Sequence, residues 1–138
     1  MGVEKILPAL MKRYNVSKDL TEFKEIASVY EQVSDVNAFE IYKFLDDKES
    51  MGRVAKKYFV ESMYDFETLF EKMNIKPESS LYNERGDFYL KQAKDELKTF
   101  GKSFFAISSY ENSIESYIKA KEFVKVDQAI TEFKGVFK

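Results

Sequence analysis

The chain contains no histidine, no cysteine and no tryptophan, and only two prolines and five glycines in 138 residues. Without histidine or cysteine there can be no Ser-His-Asp triad, no Cys-His dyad, and no nitrogen- or sulfur-ligated zinc or copper site. The side chain whose ordinary pKa lies nearest neutrality is missing as well. Any catalysis would have to come from carboxylates, lysine, tyrosine or a bound metal. A non-enzymatic role is therefore the expectation, with no catalytic, cofactor-binding or metal residue assigned. Lack of cysteine removes disulfides and thiol chemistry together. No apolar run approaches the roughly 18 residues of a membrane span. The opening stretch MGVEKILPALMKRY has too short an apolar segment for a secretory signal, and Ile6 stands where myristoylation at Gly2 wants Ser or Thr. A cytoplasmic protein with no membrane partner is the simplest reading.

Charge is balanced: 22 basic and 24 acidic residues give a formal net of −2. No half of the chain carries the one-signed footprint expected of a nucleic-acid or anionic-membrane binder. Aromatics, by contrast, are abundant at 16%, thirteen Phe and nine Tyr. Bulky core packing between helices is the first explanation, and a second apolar surface such as a dimer seam is the other.

Periodicity of 3.6 runs through nearly the whole chain. Residues 3–14 form a short amphipathic stripe in which Pro8 favours a helix start near Leu7. Ser17 or Asp19 is placed to cap a second helix over 18–32, and residues 36–45 read as a third, short one. The charged run 46–50 lacks periodicity and reads as a loop. Its Asp46, Asp47 and Glu49 could hold a hard cation, but the EF-hand spacing and glycine are missing, so a solvated turn is preferred. Residues 51–73 carry the longest stripe of the first half. Arg53, Lys56 and Lys57 beside Tyr58 and Phe59 could suggest a single-strand nucleic-acid platform. Glu61, Asp65, Glu67 and Glu71 on the same stretch favour an ordinary wet face. Asn74 and Pro77 end that helix, and 74–78 is the only candidate subdomain boundary in what reads as one domain, 1–138.

The best-specified stretch is 77–123. Tyr82, Gly86, Tyr89, Ala93, Leu97 and Phe100 recur at gaps of three and four. Gly101 follows where a left-handed stop is wanted, and Ser103 where the next helix wants a cap. Beyond it two ridges alternate, Phe104/Ile107/Ile114/Ile118 and Ala106/Tyr110/Ser113/Tyr117. The pattern predicts a tight αα-hairpin over 82–117 turning at Gly101, at the centre of an all-α, irregular antiparallel bundle of roughly six or seven helices. A break near Ala120 is expected before the last amphipathic segment.

Glu111 interrupts the first ridge. It is either an edge carboxylate with its tip in water or a buried group partnered by Arg85, Gln92 or the Tyr89 hydroxyl, a candidate polar site or helix tie. Gly86, Ala93, Ala106, Ser109 and Ser113 are small where the two helices should face, which argues for close packing. Glu-x-x-His metal sites of the ferritin type are excluded by the missing histidine. Phe133 and Phe137 near the C-terminus are the candidate interface.

LKQAKDELKTFGKSFFAISSYENSI (90–114) resembles a tetratricopeptide hairpin, with Leu90, Ala93, Leu97, Gly101, Ala106, Tyr110 and Ser113 at its large, small and glycine positions. No second unit follows at the roughly 34-residue period, so a solenoid is not implied. The stretch is also similar to a small archaeal helical domain of unknown function and to the HEPN helical domains. HEPN ribonucleases use an arginine–histidine motif, which cannot exist here. The resemblance covers about a third of the chain and implies packing rather than chemistry. The expected function is a protein-protein interaction module, self-associating as a candidate homodimer. An accessory domain binding nucleotide or RNA without cleavage is the alternative, although nucleic acid is not the expected partner.

Overall fold

The structure is a computed structural model that describes residues 6–17 and 20–138, and the side chains of all these except 14–17. Ser17, one of the two expected caps, is instead the last residue of α1, and the N-cap of α2 is Leu20, with no side-chain cap bond. Asp19 and the start of the first stripe lie outside the described residues. Eight helices and no strand occur among those described: α1 (Leu7–Ser17), α2 (Thr21–Glu31), α3 (Asp35–Phe44), α4 (Lys48–Glu61), α5 (Thr68–Lys72), α6 (Ser79–Phe100), α7 (Phe104–Lys119) and α8 (Phe123–Val136). The all-α class holds, with eight helices where the sequence pattern suggested six or seven. None of the helices is long and apolar enough to cross a membrane.

The extra helix arises because the 51–73 stripe is two elements. α4 stops at Glu61, and residues 62–67 run irregularly, with Asp65 at φ +52° and the Ser62 hydroxyl donating to the Tyr64 carbonyl at 2.6 Å. At its other end α4 begins earlier than expected, inside the supposed loop 46–50. Asp47 caps it: one carboxylate oxygen accepts from the Ser50 amide at 3.2 Å and the other from the Ser50 hydroxyl at 2.7 Å. Those two donors hold the Asp47 carboxyl below its ordinary pKa.

Three helices end in the same way without glycine. After α3, α5 and α7 the residue just past the cap takes positive φ: Asp46 at 54°, Asn74 at 56° and Lys121 at 60°. In each case the following amide reaches back to the third-last helical carbonyl at 3.0 Å, Asp47 to Tyr42, Ile75 to Phe70 and Glu122 to Tyr117. These are Schellman stops, which satisfy carbonyls that the helix itself cannot. The one after α7 supplies the break expected near Ala120. Glycine is spent elsewhere: Gly52, Gly86 and Gly135 lie within helices. Among the described glycines only Gly101 serves as a stop, at φ 71° and ψ −154°, a combination essentially closed to side-chain-bearing residues. Ser103 then caps α7 through the Ala106 amide, as its position suggested.

The chain forms two compact units, Met1–Tyr58 and Phe59–Lys138, divided within α4; the 74–78 connection lies inside the second. The first is built on Phe23, Ala27, Ala38, Phe39, Ile41, Val54 and Ala55, all nearly or fully buried, with Phe23 stacked on Phe44 at 5.1 Å. Two of its wet-side cations are tied to acids, Arg53 to Glu31 and Lys57 to Asp35 at 3.7 Å.

The second unit contains the hairpin. Of the two ridges on α7, the one with small residues faces inward: Ala106, Ser109, Tyr110, Ser113, Ser116 and Tyr117 are buried. Phe104 and Ile118 of the other ridge are exposed. The choice follows from the partner helix, whose buried Gly86 and Ala93 permit close approach only to small side chains or flat rings. The Ser113 hydroxyl donates to the Gly86 carbonyl at 2.7 Å. Helix α8 closes the unit, packing Val126 and Ala129 with Tyr117 and with Leu90, Ile114 and Ile130.

Candidate functional site

Arg85 and Tyr89 stand one turn apart on α6 and both point inward, at 2% and 3% exposure. Their partners are the carbonyls at the end of α4. Arg85 Nη1 donates to Phe59 O at 3.1 Å and to Ser62 O at 2.5 Å, and the Tyr89 hydroxyl donates to Glu61 O at 2.7 Å. These groups carry the negative end of the helix dipole and have no partner within the helix. The guanidinium also lies over the Phe66 ring, 3.7 Å from its centroid, with the Tyr89 ring at 4.7 Å. Cation–π attraction thus adds to the backbone bonds. Among the described residues no carboxylate lies within ion-pair distance of Arg85. Burial depresses the Arg85 pKa, against the opposing fields of Tyr89, Glu115 and Glu67, yet an arginine stays charged. Burial raises the Tyr89 phenol. Beside this cluster is a cavity of about 140 Å³ lined by Arg85, Met63, Phe66, Asn112, Glu115, Ser116 and Lys119.

Of the four residues proposed from sequence as a polar site, Arg85 and Tyr89 come together, while Gln92 and Glu111 do not join them. Both are exposed. Glu111 falls on the outer ridge of α7, so the edge reading with its tip in water describes it. The candidate interface residues Phe133 and Phe137 are half-buried, not free. Their rings sit 5.1 Å from each other and 5.6 and 6.2 Å from Tyr110. Sequence reasoning missed Asn112, Glu115 and Lys119, which share the i, i+3/i+4 face of α7 turned toward the Arg85 cavity. Their spacing was a usable signal, but nothing on α7 marked that face as the polar one.

A second set of polar ties links α6, α7 and α8. Tyr117 donates to Asp87 at 2.5 Å and Tyr110 to Glu132 at 2.9 Å, and both rings are buried. Each carboxylate is paired outward, Asp87 with Lys125 at 3.2 Å and Glu132 with Lys94 at 3.8 Å. The Ser109 hydroxyl donates to Glu96 at 2.5 Å. Burial and the adjacent carboxylate push the Tyr110 phenol up to about 12, and the Tyr117 phenol is raised further by the same two causes. An unfolded phenol ionises near pH 10. The folded state therefore keeps these protons after the unfolded chain has begun to lose them. The stability they contribute is complete below pH 10 and is lost as pH rises through about 12, by up to ~1.4 kcal/mol per pH unit per phenol. Urea midpoints measured from pH 9 to 12 are expected to fall steeply in the native protein and less so in Tyr110→Phe/Tyr117→Phe. Equal slopes would rule out these phenols as the cause.

Three of the large apolar side chains left in solvent lie at the hairpin corner, while others, among them Val33, Tyr64, Phe123 and Val124, lie elsewhere along the chain. Phe100, Phe104 and Phe105 are 61%, 79% and 60% exposed, and the Phe100 and Phe105 rings lie 5.4 Å apart. No group of three or more His, Cys, Asp or Glu able to hold a metal ion occurs among the described residues. Comparison with protein-family models, with curated proteins and with solved structures finds no match to this chain.

Proposed function

We propose that this chain is a non-enzymatic helical interaction module that docks a protein partner at the outer corner of the α6–α7 hairpin. The exposed phenyl cluster of Phe100, Phe104 and Phe105 carries this reading. Single exposed hydrophobics are ordinary on a surface, but three phenyl groups at one corner, two of them in ring contact, together expose on the order of 400 Å², the size of patch that marks interaction sites. Lys98 and Lys102 flank the corner, and no acidic residue occurs between Glu96 and Glu111. The complementary partner surface is apolar with an acidic rim. Two copies meeting corner to corner would oppose these lysines. Self-association through Phe133 and Phe137 draws less support, because both rings already pack on Tyr110.

A photo-crosslinking residue at position 104, introduced in the native cell, tests this directly. One discrete adduct with a second protein is expected, with none from the same label at the exposed position 111. Binding of that protein, once purified, should weaken at least about tenfold in Phe100→Ser/Phe105→Ser. Adducts only between copies of the chain would shift the assignment to self-association. No adduct, or the same adduct from both positions, would refute the corner as a docking site.

A further inference from the structure

We infer that the cavity beside Arg85 binds a small oxyanion, the carboxylate or phosphate group of a ligand. Arg85 is a buried cation with no counter-ion in ion-pair distance among the described residues. Arg85 is 2% exposed, and its bonded partners are neutral carbonyls and ring faces. A charge taken out of water is costly unless it is paired, and carbonyl dipoles offset only part of that cost. Nη1 alone makes both carbonyl bonds, so the other N–H groups of the five-donor fork remain for the Tyr89 hydroxyl and for the cavity.

The cavity suits such a guest. Its volume of about 140 Å³ holds roughly five water-sized groups at ~30 Å³ each. Its lining adds a second cation, Lys119, and the neutral donors of Asn112 and Ser116 to the Arg85 fork, together with one carboxylate, Glu115. Planar guanidinium forks match the two-oxygen edge of carboxylate and phosphate, and an ammonium serves as a point charge beside them.

Two carboxylates oppose this arrangement. Glu115 and Glu67 each lie 3.7 Å from the Lys119 ammonium, and their fields reach Arg85. Their side chains are 65% and 39% exposed. Water and salt screen them, while the guanidinium is desolvated, so the buried charge dominates inside the cavity. Glu115 is then a competitor: it holds Lys119 when the cavity has no anion and must yield it when one enters.

That competition sets the test. The Arg85 Nε–H resonance is followed by NMR on the whole chain, titrated separately with sodium phosphate and sodium acetate at an ionic strength held constant with sodium chloride. A saturable shift with at least one anion is expected. Lys119→Gln should weaken binding about tenfold, and Glu115→Gln should tighten it several-fold, opposite effects from two exposed neighbours. Saturation by phosphate alone would identify a phosphate-bearing ligand, and by acetate alone a carboxylate-bearing one. The inference is overturned by the absence of a saturable shift with either anion, or by identical titrations in Lys119→Gln and the native protein. Lys119→Gln gives up ammonium contacts over the half-buried Phe66 and Tyr82 rings at 5.7 and 5.6 Å, so the urea midpoint of each variant is measured beside its titration to separate loss of binding from loss of fold. The result is independent of the hairpin corner.

Discussion

Arg85→Ala is expected to lower the unfolding free energy by about 3–5 kcal/mol, read as a large fall in the urea midpoint. Three losses combine. The carbonyls of Phe59 and Ser62 are left without their donor, at about 1–3 kcal/mol each when buried. The cation over the Phe66 ring disappears, and the aliphatic stem leaves a void. Arg85→Met separates these contributions. It keeps most of the volume and removes the desolvated charge, yet still leaves the α4 carbonyls without a donor, so it should be destabilised less than alanine but remain below the native protein. A methionine variant as stable as the native chain would mean that relief of the desolvated charge offsets the carbonyl bonds in full, against the expected order. Gln92→Ala and Glu111→Ala serve as controls, since both positions face water and surface changes of this kind stay within about 0.5 kcal/mol.

The same residue shows what was legible in the sequence. Arg85 could be singled out with Tyr89 because they fall one turn apart on a strongly patterned helix. Their true partners are backbone carbonyls of α4, at a sequence separation of 26 for Phe59 and 28 for Glu61. Backbone groups leave no mark in a residue pattern, so a side-chain acceptor, Glu111, was the available guess. The split of the 51–73 stripe was hidden for a related reason. Its apolar spacing continues through Ser62–Glu67, and the stop is completed by a side chain from another helix. Local punctuation was readable where it used familiar residues: Ser103 and Asn74 act as expected, and Gly101 stops α6 at positive φ, but as its cap and with an extended ψ instead of the left-handed helical conformation. Lys121 in a left-handed conformation does the work usually given to glycine, so the break after α7 had no residue of its own to announce it. Two apolar ridges on α7 left its inward face undecided until the small residues of α6 were set against it.

That contact between small surfaces makes Gly86 the most demanding position in the hairpin, and Gly86→Ala should destabilise by about 2 kcal/mol net. An added Cβ would lie 2.4 Å from both Cδ1 and Cε1 of Tyr117 and 3.0 Å from Cγ. These are atoms of a ring, not the end of a flexible chain. The ring is 1% exposed and its hydroxyl is bonded to Asp87, so it cannot swing aside without losing that bond. Overpacking of this kind costs about 1–3 kcal/mol or more, whereas the better helix propensity of alanine returns only about 1. Gly52→Ala isolates the propensity effect, because a Cβ there meets nothing within 4 Å; it should stabilise by up to about 1 kcal/mol. Tyr117→Phe keeps the clashing ring atoms and should leave the Gly86→Ala penalty in place. Tyr117→Leu removes the ring edge and should shrink it, a positive coupling in a double-mutant cycle. If Gly86→Ala were as stable as the native protein, with chemical denaturation reporting the same cooperative transition, helices α6 and α7 would not approach as closely as described. The inward choice of the Ala106/Tyr110/Ser113/Tyr117 ridge would then lose its physical cause.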